Sequence, residues 1–227
     1  MAKDKKESMY LKEIDANVLD VYMKSCLNAM KSIAHNTRVV VDTENQNSSV
    51  LERNYVLSLV YEMGKQISKN EFEFNSSGLF IGGETSKYIR VNSEKIRATC
   101  NELDIKIKEK KFEVIPDLVI HNSHNPDVGD SGDGQRLALE AKTTIKLGKV
   151  AFMKDFFKLN VYLASLHFEN VVYLIVNNNT KRICELIEDY LNNEYFLFKE
   201  GPKMFFFIQE KIEDEPKVFQ FIDDDKR

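Results

Sequence analysis

Two short apolar segments that carry acidic residues constrain the fold of this chain more than any other feature. The first spans residues 115–121 and contains Asp117 directly after a proline; the second spans residues 137–143 and contains Glu140 and Lys142. Side chains two positions apart on a β-strand point to the same face of a sheet, so Glu140 and Lys142 are expected to project together. If the two segments pair as a hairpin, Asp117 comes to lie beside Glu140.

Two carboxylates and an ammonium group at one sheet edge suit Mg²⁺-assisted hydrolysis of a phosphodiester. Mg²⁺ prefers oxygen ligands and usually takes only one or two protein carboxylates, which makes Asp117 and Glu140 the candidate metal ligands, with Mn²⁺ as a substitute ion. Lys142, close to carboxylates, is expected to stay protonated and either to orient the attacking water or to stabilise the charge that develops on the phosphate. The alternative is a turn aspartate and a surface Glu140–Lys142 ion pair, but the apolar runs indicate buried strands, where unpaired charge is costly.

Pro116-Asp117, followed along the chain by Glu140-Ala141-Lys142, resembles the PD-(D/E)XK nuclease superfamily. The resemblance implies the restriction-endonuclease-like fold: an α/β protein with an αβββαβ core, its mixed central sheet flanked by helices, here with an extra N-terminal helix. It also implies a metal-dependent deoxyribonuclease, of a restriction or defence type, that acts on DNA. Small members of this superfamily often dimerise to cut two strands, so a homodimer is compatible with it.

Further candidate site residues come from the resemblance and from neighbouring polar positions. The superfamily often has a glutamate on the helix that precedes the core, which makes Glu52 the candidate fourth catalytic residue and Glu62, on the same helix, the alternative. Glu52 could instead form a capping box with Ser49. The candidate substrate-binding residues are Lys158, Thr143 and Gln135. Lys158 lies three positions after Asp155, so an intrahelical ion pair is an equally good interpretation of these two residues.

Hydrophobic periodicity and turn residues predict the order of helices and strands. Predicted helices cover residues 9–34, 50–68, 93–110, 149–167 and 180–191. Predicted strands cover parts of residues 69–91 and residues 112–121, 137–143 and 171–176. Residues 35–49 combine a β-branched run at 39–41 with a polar tail at 44–49, and loops are expected at this tail and at 122–136. An aromatic run occupies residues 205–207.

Composition limits the remaining alternatives. The chain has 227 residues, 43% of them hydrophobic and 30% charged, which is typical of a globular protein, and we expect a single domain over residues 1–227 with an N-terminal helical extension over about 1–48. Three well-separated cysteines and the lack of a long apolar run predict a cytoplasmic protein without a membrane partner. Two other functions stay open: a non-catalytic nucleic-acid or protein binding module on the same fold, and a subunit of a larger restriction or defence complex.

Overall fold

The structure is a computed structural model that describes residues 10–34, 48–69, 79–83, 86–122, 134–199 and 203–222. Its helices are α1 (Val21–Ala34), α2 (Ser48–Lys69), α3 (Glu94–Glu102), α4 (Lys149–Ser165) and α5 (Thr180–Asn192). Its strands are β1 (Leu11–Glu13), β2 (Leu79–Gly83), β3 (Lys87–Arg90), β4 (Lys111–Val114), β5 (Leu118–Asn122), β6 (Gln135–Lys142), β7 (Asn170–Val176), β8 (Met204–Gln209) and β9 (Lys217–Phe221).

Seven of these strands form one mixed sheet in the order β1-β9-β8-β7-β6-β5-β2. The three central strands, β6, β7 and β8, are parallel, and the outer pairs are antiparallel. Parallel neighbours need a crossover connection, and α4 and α5 provide the two crossovers. Strands β3 and β4 form a separate antiparallel pair. The protein is therefore α/β, with a mixed central sheet flanked by helices, as the sequence predicts.

The sheet separates two apolar cores. Helices α1 and α2 pack on one face, and α4 and α5, together with α3 and the β3–β4 pair, pack on the other. Strand β7 contributes Val172 to the α1–α2 core and Tyr173 to the α4–α5 core, and its neighbours continue the alternation. Because both of its faces are covered, this strand is a continuous apolar run rather than an alternating one.

The predicted helix over 9–34 is wrong in its first turns. Residues Leu11–Glu13 form β1 at the edge of the sheet, where Leu11 pairs with Phe221 of β9. A 3₁₀ turn follows, and its cap, Asp15, accepts a hydrogen bond from the backbone N–H of Asn17. The helix begins only at Val21, where the Asp20 side chain accepts from the N–H of Met23 at 2.7 Å. Edge pairing and two aspartate caps thus override the helical periodicity.

Two further boundaries differ from the sequence prediction. The predicted strand over 112–121 is two strands, β4 and β5, separated at Pro116, which lacks a backbone N–H and restricts the residue before it. The predicted helix over 93–110 ends at Glu102, and Asp104, Glu109 and Lys110 adopt left-handed backbone conformations. Most of the predicted loop at 44–49, most of the 122–136 loop and residues 70–78 lie outside the described residues, and Ser48 and Ser49 belong to α2.

Candidate active site

The expected hairpin is present and brings the first two acidic residues together. Leu118 of β5 pairs with Leu139 of β6 in an antiparallel register, which places Asp117 opposite Glu140. The backbone N–H of Asp117 donates to the carbonyl of Leu139 at 3.1 Å, and the N–H of Ala141 donates to Asp117 Oδ2 at 2.7 Å. Burial raises the pKa of the Asp117 carboxyl, and the bond from Ala141 and the nearby lysines oppose this shift.

Glu140 is the most deeply buried charged residue of the site, with a side chain 1% exposed. The Tyr162 hydroxyl donates to its Oε1 at 2.5 Å, and the Lys158 ammonium lies 3.1 Å from its Oε2. Burial raises the pKa of Glu140 to about 8, although Lys158 and Tyr162 favour the charged form. Both oxygens of this carboxylate are therefore held by side chains of α4.

Lys142 joins the two faces of the sheet at the end of β6. Its Nζ lies 2.8 Å from Glu52 Oε1 on α2 and 3.4 Å from Asp155 Oδ2 on α4. Burial alone would lower the pKa of Lys142, but Asp155, Glu52 and Asp117 outweigh it, so the pKa is raised and the ammonium stays charged. Glu52 therefore forms an ion pair with a residue of the site. A purely structural capping box with Ser49 would not require this contact.

Asp155 contacts both lysines of the site. Its Oδ1 lies 3.0 Å from Lys158 Nζ, its Oδ2 lies 3.4 Å from Lys142 Nζ, and the Tyr173 hydroxyl donates to Oδ2 at 3.3 Å. The intrahelical Asp155–Lys158 pair that the sequence suggests is therefore present, but it extends to β6 and β7. The sequence interpretation missed Tyr162, although its place four positions after Lys158 on a helix is a usable signal.

We refer to these six charged side chains as the acid–lysine cluster. Its members are Glu52, Asp117, Glu140, Lys142, Asp155 and Lys158. Four carboxylates face two ammonium groups, so the cluster has an excess of two negative charges only when all four carboxylates are ionised. Burial disfavours that state at Glu140, whose pKa is raised while no divalent cation is bound. Buried charge without a counter-ion is costly, and a divalent cation would offset this excess.

Three other predicted residues lie outside these contacts. Glu62 pairs with Lys65 at 2.9 Å, and ten helical residues, about 15 Å of helix, separate it from Glu52. Gln135 starts β6, roughly 16 Å along the strand from Glu140. Thr143 directly follows Lys142, but its hydroxyl is buried and has no hydrogen-bond partner among the described residues. Substrate contacts by Gln135 and Thr143 stay predictions.

The donor set at the hairpin suits a hard divalent cation. Asp117 and Glu140 offer carboxylate oxygens on adjacent strands, and Mg²⁺ commonly takes only one or two protein carboxylates and completes its shell with water and substrate oxygens. Within the described residues, no group of three or more histidine, cysteine, aspartate or glutamate side chains is arranged to hold a metal ion. The chemistry of the pair and the charge excess thus fit a two-carboxylate site.

Comparison with known proteins adds no relative. No family model, no curated protein and no solved structure matches the chain. In the part of the chain that the structure describes, no helix is long and apolar enough to cross a lipid bilayer.

Proposed function

We propose that this protein is a metal-dependent nuclease of the PD-(D/E)XK type, which hydrolyses phosphodiester bonds in DNA. The observation that carries the proposal is the register of the β5–β6 hairpin. It sets Asp117 against Glu140 and places Lys142 two residues further along the same strand. The order of α2, β2, β5, β6, α4 and β7, with two antiparallel pairings followed by a parallel one, supports an αβββαβ core into which β3, α3 and β4 are inserted.

In this mechanism Asp117 and Glu140 would hold Mg²⁺, or Mn²⁺ in its place. When bound, the ion lowers the pKa of a coordinated water and offsets charge on the scissile phosphate. Lys142, kept protonated by Asp155 and Glu52, orients the attacking water and stabilises negative charge that develops on the phosphate. The water oxygen would bond to phosphorus as the bond from phosphorus to the 3′ oxygen breaks in line. The water proton passes to solvent and the 3′ oxygen takes up a proton, which gives a 5′ phosphate and a 3′ hydroxyl.

The test is cleavage of supercoiled plasmid and linear DNA with Mg²⁺ or Mn²⁺. We expect the wild-type protein to cut only with metal, and Glu140→Gln and Lys142→Met to lower the rate by at least about a hundredfold. The controls are Glu169→Gln and Lys149→Met, which change the same residue types in ion pairs outside the cluster. If the wild type neither cuts DNA nor binds metal, the proposal is wrong and a binding module replaces it.

A further inference from the structure

Lys158 is the lysine of the acid–lysine cluster that contacts Glu140 directly. Its Nζ lies 3.1 Å from Glu140 Oε2 and 3.0 Å from Asp155 Oδ1, so one ammonium bridges carboxylates from β6 and α4. Glu140 is also a ligand in the proposed metal site. A divalent ion bound there and the Lys158 ammonium therefore compete as cations for the same carboxylate, and most directly at Oε2, because Oε1 already accepts a hydrogen bond from the Tyr162 hydroxyl.

The two ion pairs of Lys158 depend on different parts of the fold. Asp155 is three positions away on the same helix, so that pair is available without any other element. The bond to Glu140 depends on the lysine reaching across to β6, and the Lys158 side chain is 27% exposed, so it is not fully enclosed by its neighbours. Lys158 can therefore release Glu140 and still keep Asp155 as its counter-ion.

The partners of Glu140 and Asp155 favour this exchange. Tyr162 holds the other oxygen of Glu140, and Tyr173 holds Oδ2 of Asp155, so neither carboxylate has to turn when the ammonium moves. Only the flexible end of one lysine changes its position. The Glu140 oxygen that the lysine releases stays oriented for another cation.

We propose that Lys158 is the resident counter-cation of Glu140, that it leaves Glu140 when a divalent ion binds, and that it thereby weakens the affinity of the site for metal. This inference rests on the proposed function. It assigns Lys158 a role distinct from that of Lys142: Lys142 serves the reacting phosphate and water, whereas Lys158 sets the metal concentration at which the site fills.

The experiment is titration calorimetry of the full chain with Mg²⁺ alone, without DNA, at pH 9, which lies above the raised pKa of Glu140, so that lysine and metal compete for an ionised carboxylate. Lys158→Met removes the competing charge and keeps the length of the side chain, so we expect metal to bind about tenfold tighter, the factor that corresponds to ~1.4 kcal/mol. Lys158→Gln provides a second neutral variant in case the first folds poorly. Lys158→Arg keeps the charge and should bind metal with nearly wild-type affinity.

The matched control is Lys149→Met, because Lys149 lies on the same helix but pairs with Asp189, 3.1 Å away and outside the cluster. Its metal affinity should equal that of the wild type. Unchanged or weaker metal binding by folded Lys158→Met and Lys158→Gln overturns the inference and leaves the proposed nuclease in place. If neither the wild type nor any variant binds a divalent ion, both proposals are wrong.

Discussion

Asp155 and Gln209 are buried polar side chains that lie on opposite faces of the sheet. Each makes three polar contacts, but the partner groups of Gln209 are neutral, whereas two of the three partner groups of Asp155 are charged. Gln209 Nε2 donates to the carbonyls of Ile212 and Asp214 at 2.8 and 2.7 Å, and its Oε1 accepts from the Tyr55 hydroxyl at 3.5 Å. Asp155 contacts two ammonium groups and the Tyr173 hydroxyl.

The difference separates a structural network from the network that we propose to be functional. Gln209 is neutral and satisfies backbone carbonyls of the turn between β8 and β9, so it stabilises the chain path at that position. Asp155 satisfies no backbone group through these contacts. It holds charged side chains from different elements in a buried place, where apolar packing would serve stability equally well. The fold has little need of such a cluster, whereas the proposed hydrolysis of a phosphodiester would use it.

The largest expected effect comes from Asp155→Asn. The amide keeps the shape of the side chain but not its charge, so the two lysines lose their shared carboxylate. We expect DNA cleavage to fall by about a hundredfold. The free energy of unfolding should fall by less than the roughly 3–5 kcal/mol that an uncompensated buried charge costs, because Lys142 keeps Glu52 and Lys158 keeps Glu140. Cleavage kinetics and urea unfolding measure both, and full activity would show that Asp155 is structural.

Gln209→Ala tests the other network. It removes two short hydrogen bonds and leaves two carbonyls in the β8–β9 turn without their side-chain donor, so we expect a loss of about 2–4 kcal/mol in the free energy of unfolding. Below the unfolding transition, the cleavage rate of the folded fraction should equal that of the wild type. A selective loss of cleavage would contradict the separation of the two networks.

The pH dependence of stability provides a third test, without added metal. Burial raises the pKa of Glu140 from its ordinary 4.5 to about 8, so between these values the unfolded chain loses a proton that the folded chain keeps. The contribution of Glu140 to stability is therefore lost as the pH rises through this window. The free energy of unfolding of Glu140→Gln, relative to that of the wild type, should therefore increase from pH 5 to pH 8. A constant difference, measured against Glu169→Gln as a control, would contradict the shift.

The part of this molecule that a sequence predicts well is the part where local pattern and tertiary contact agree. Strand β7 and helices α4 and α5 are predicted within two residues of their bounds, because their apolar periodicity is that of fully or half-buried elements. The adjacency of Asp117 and Glu140 is also predictable, because two consecutive apolar strands joined by a loop are expected to pair as a hairpin.

The sequence pattern does not predict contacts between elements that are distant along the chain. Strand β1 exists because Leu11 pairs with Phe221, more than two hundred residues away, and no local signal encodes that pairing. In the site, the bridge from Lys158 to Glu140 and the second contact of Asp155 depend on how α4 docks on β6. An i, i+3 pair on a helix is equally typical of a surface, so spacing alone could not decide between the two interpretations.

The smallest expected effect separates two tyrosines whose hydroxyl bonds have the same length. Tyr162 donates to Glu140 Oε1 and Tyr190 donates to the carbonyl of Phe196, each at 2.5 Å, and both rings are fully buried. Tyr162→Phe and Tyr190→Phe should each lower the free energy of unfolding by about 1–2 kcal/mol, because each leaves one acceptor without its donor. Only Tyr162→Phe should also weaken Mn²⁺ binding, by roughly threefold to tenfold, since only that hydroxyl orients a proposed metal ligand. Calorimetric titration of both variants measures this difference. Equal metal affinities in the two variants would mean that Tyr162 only packs against the sheet and that Glu140 keeps its orientation without it.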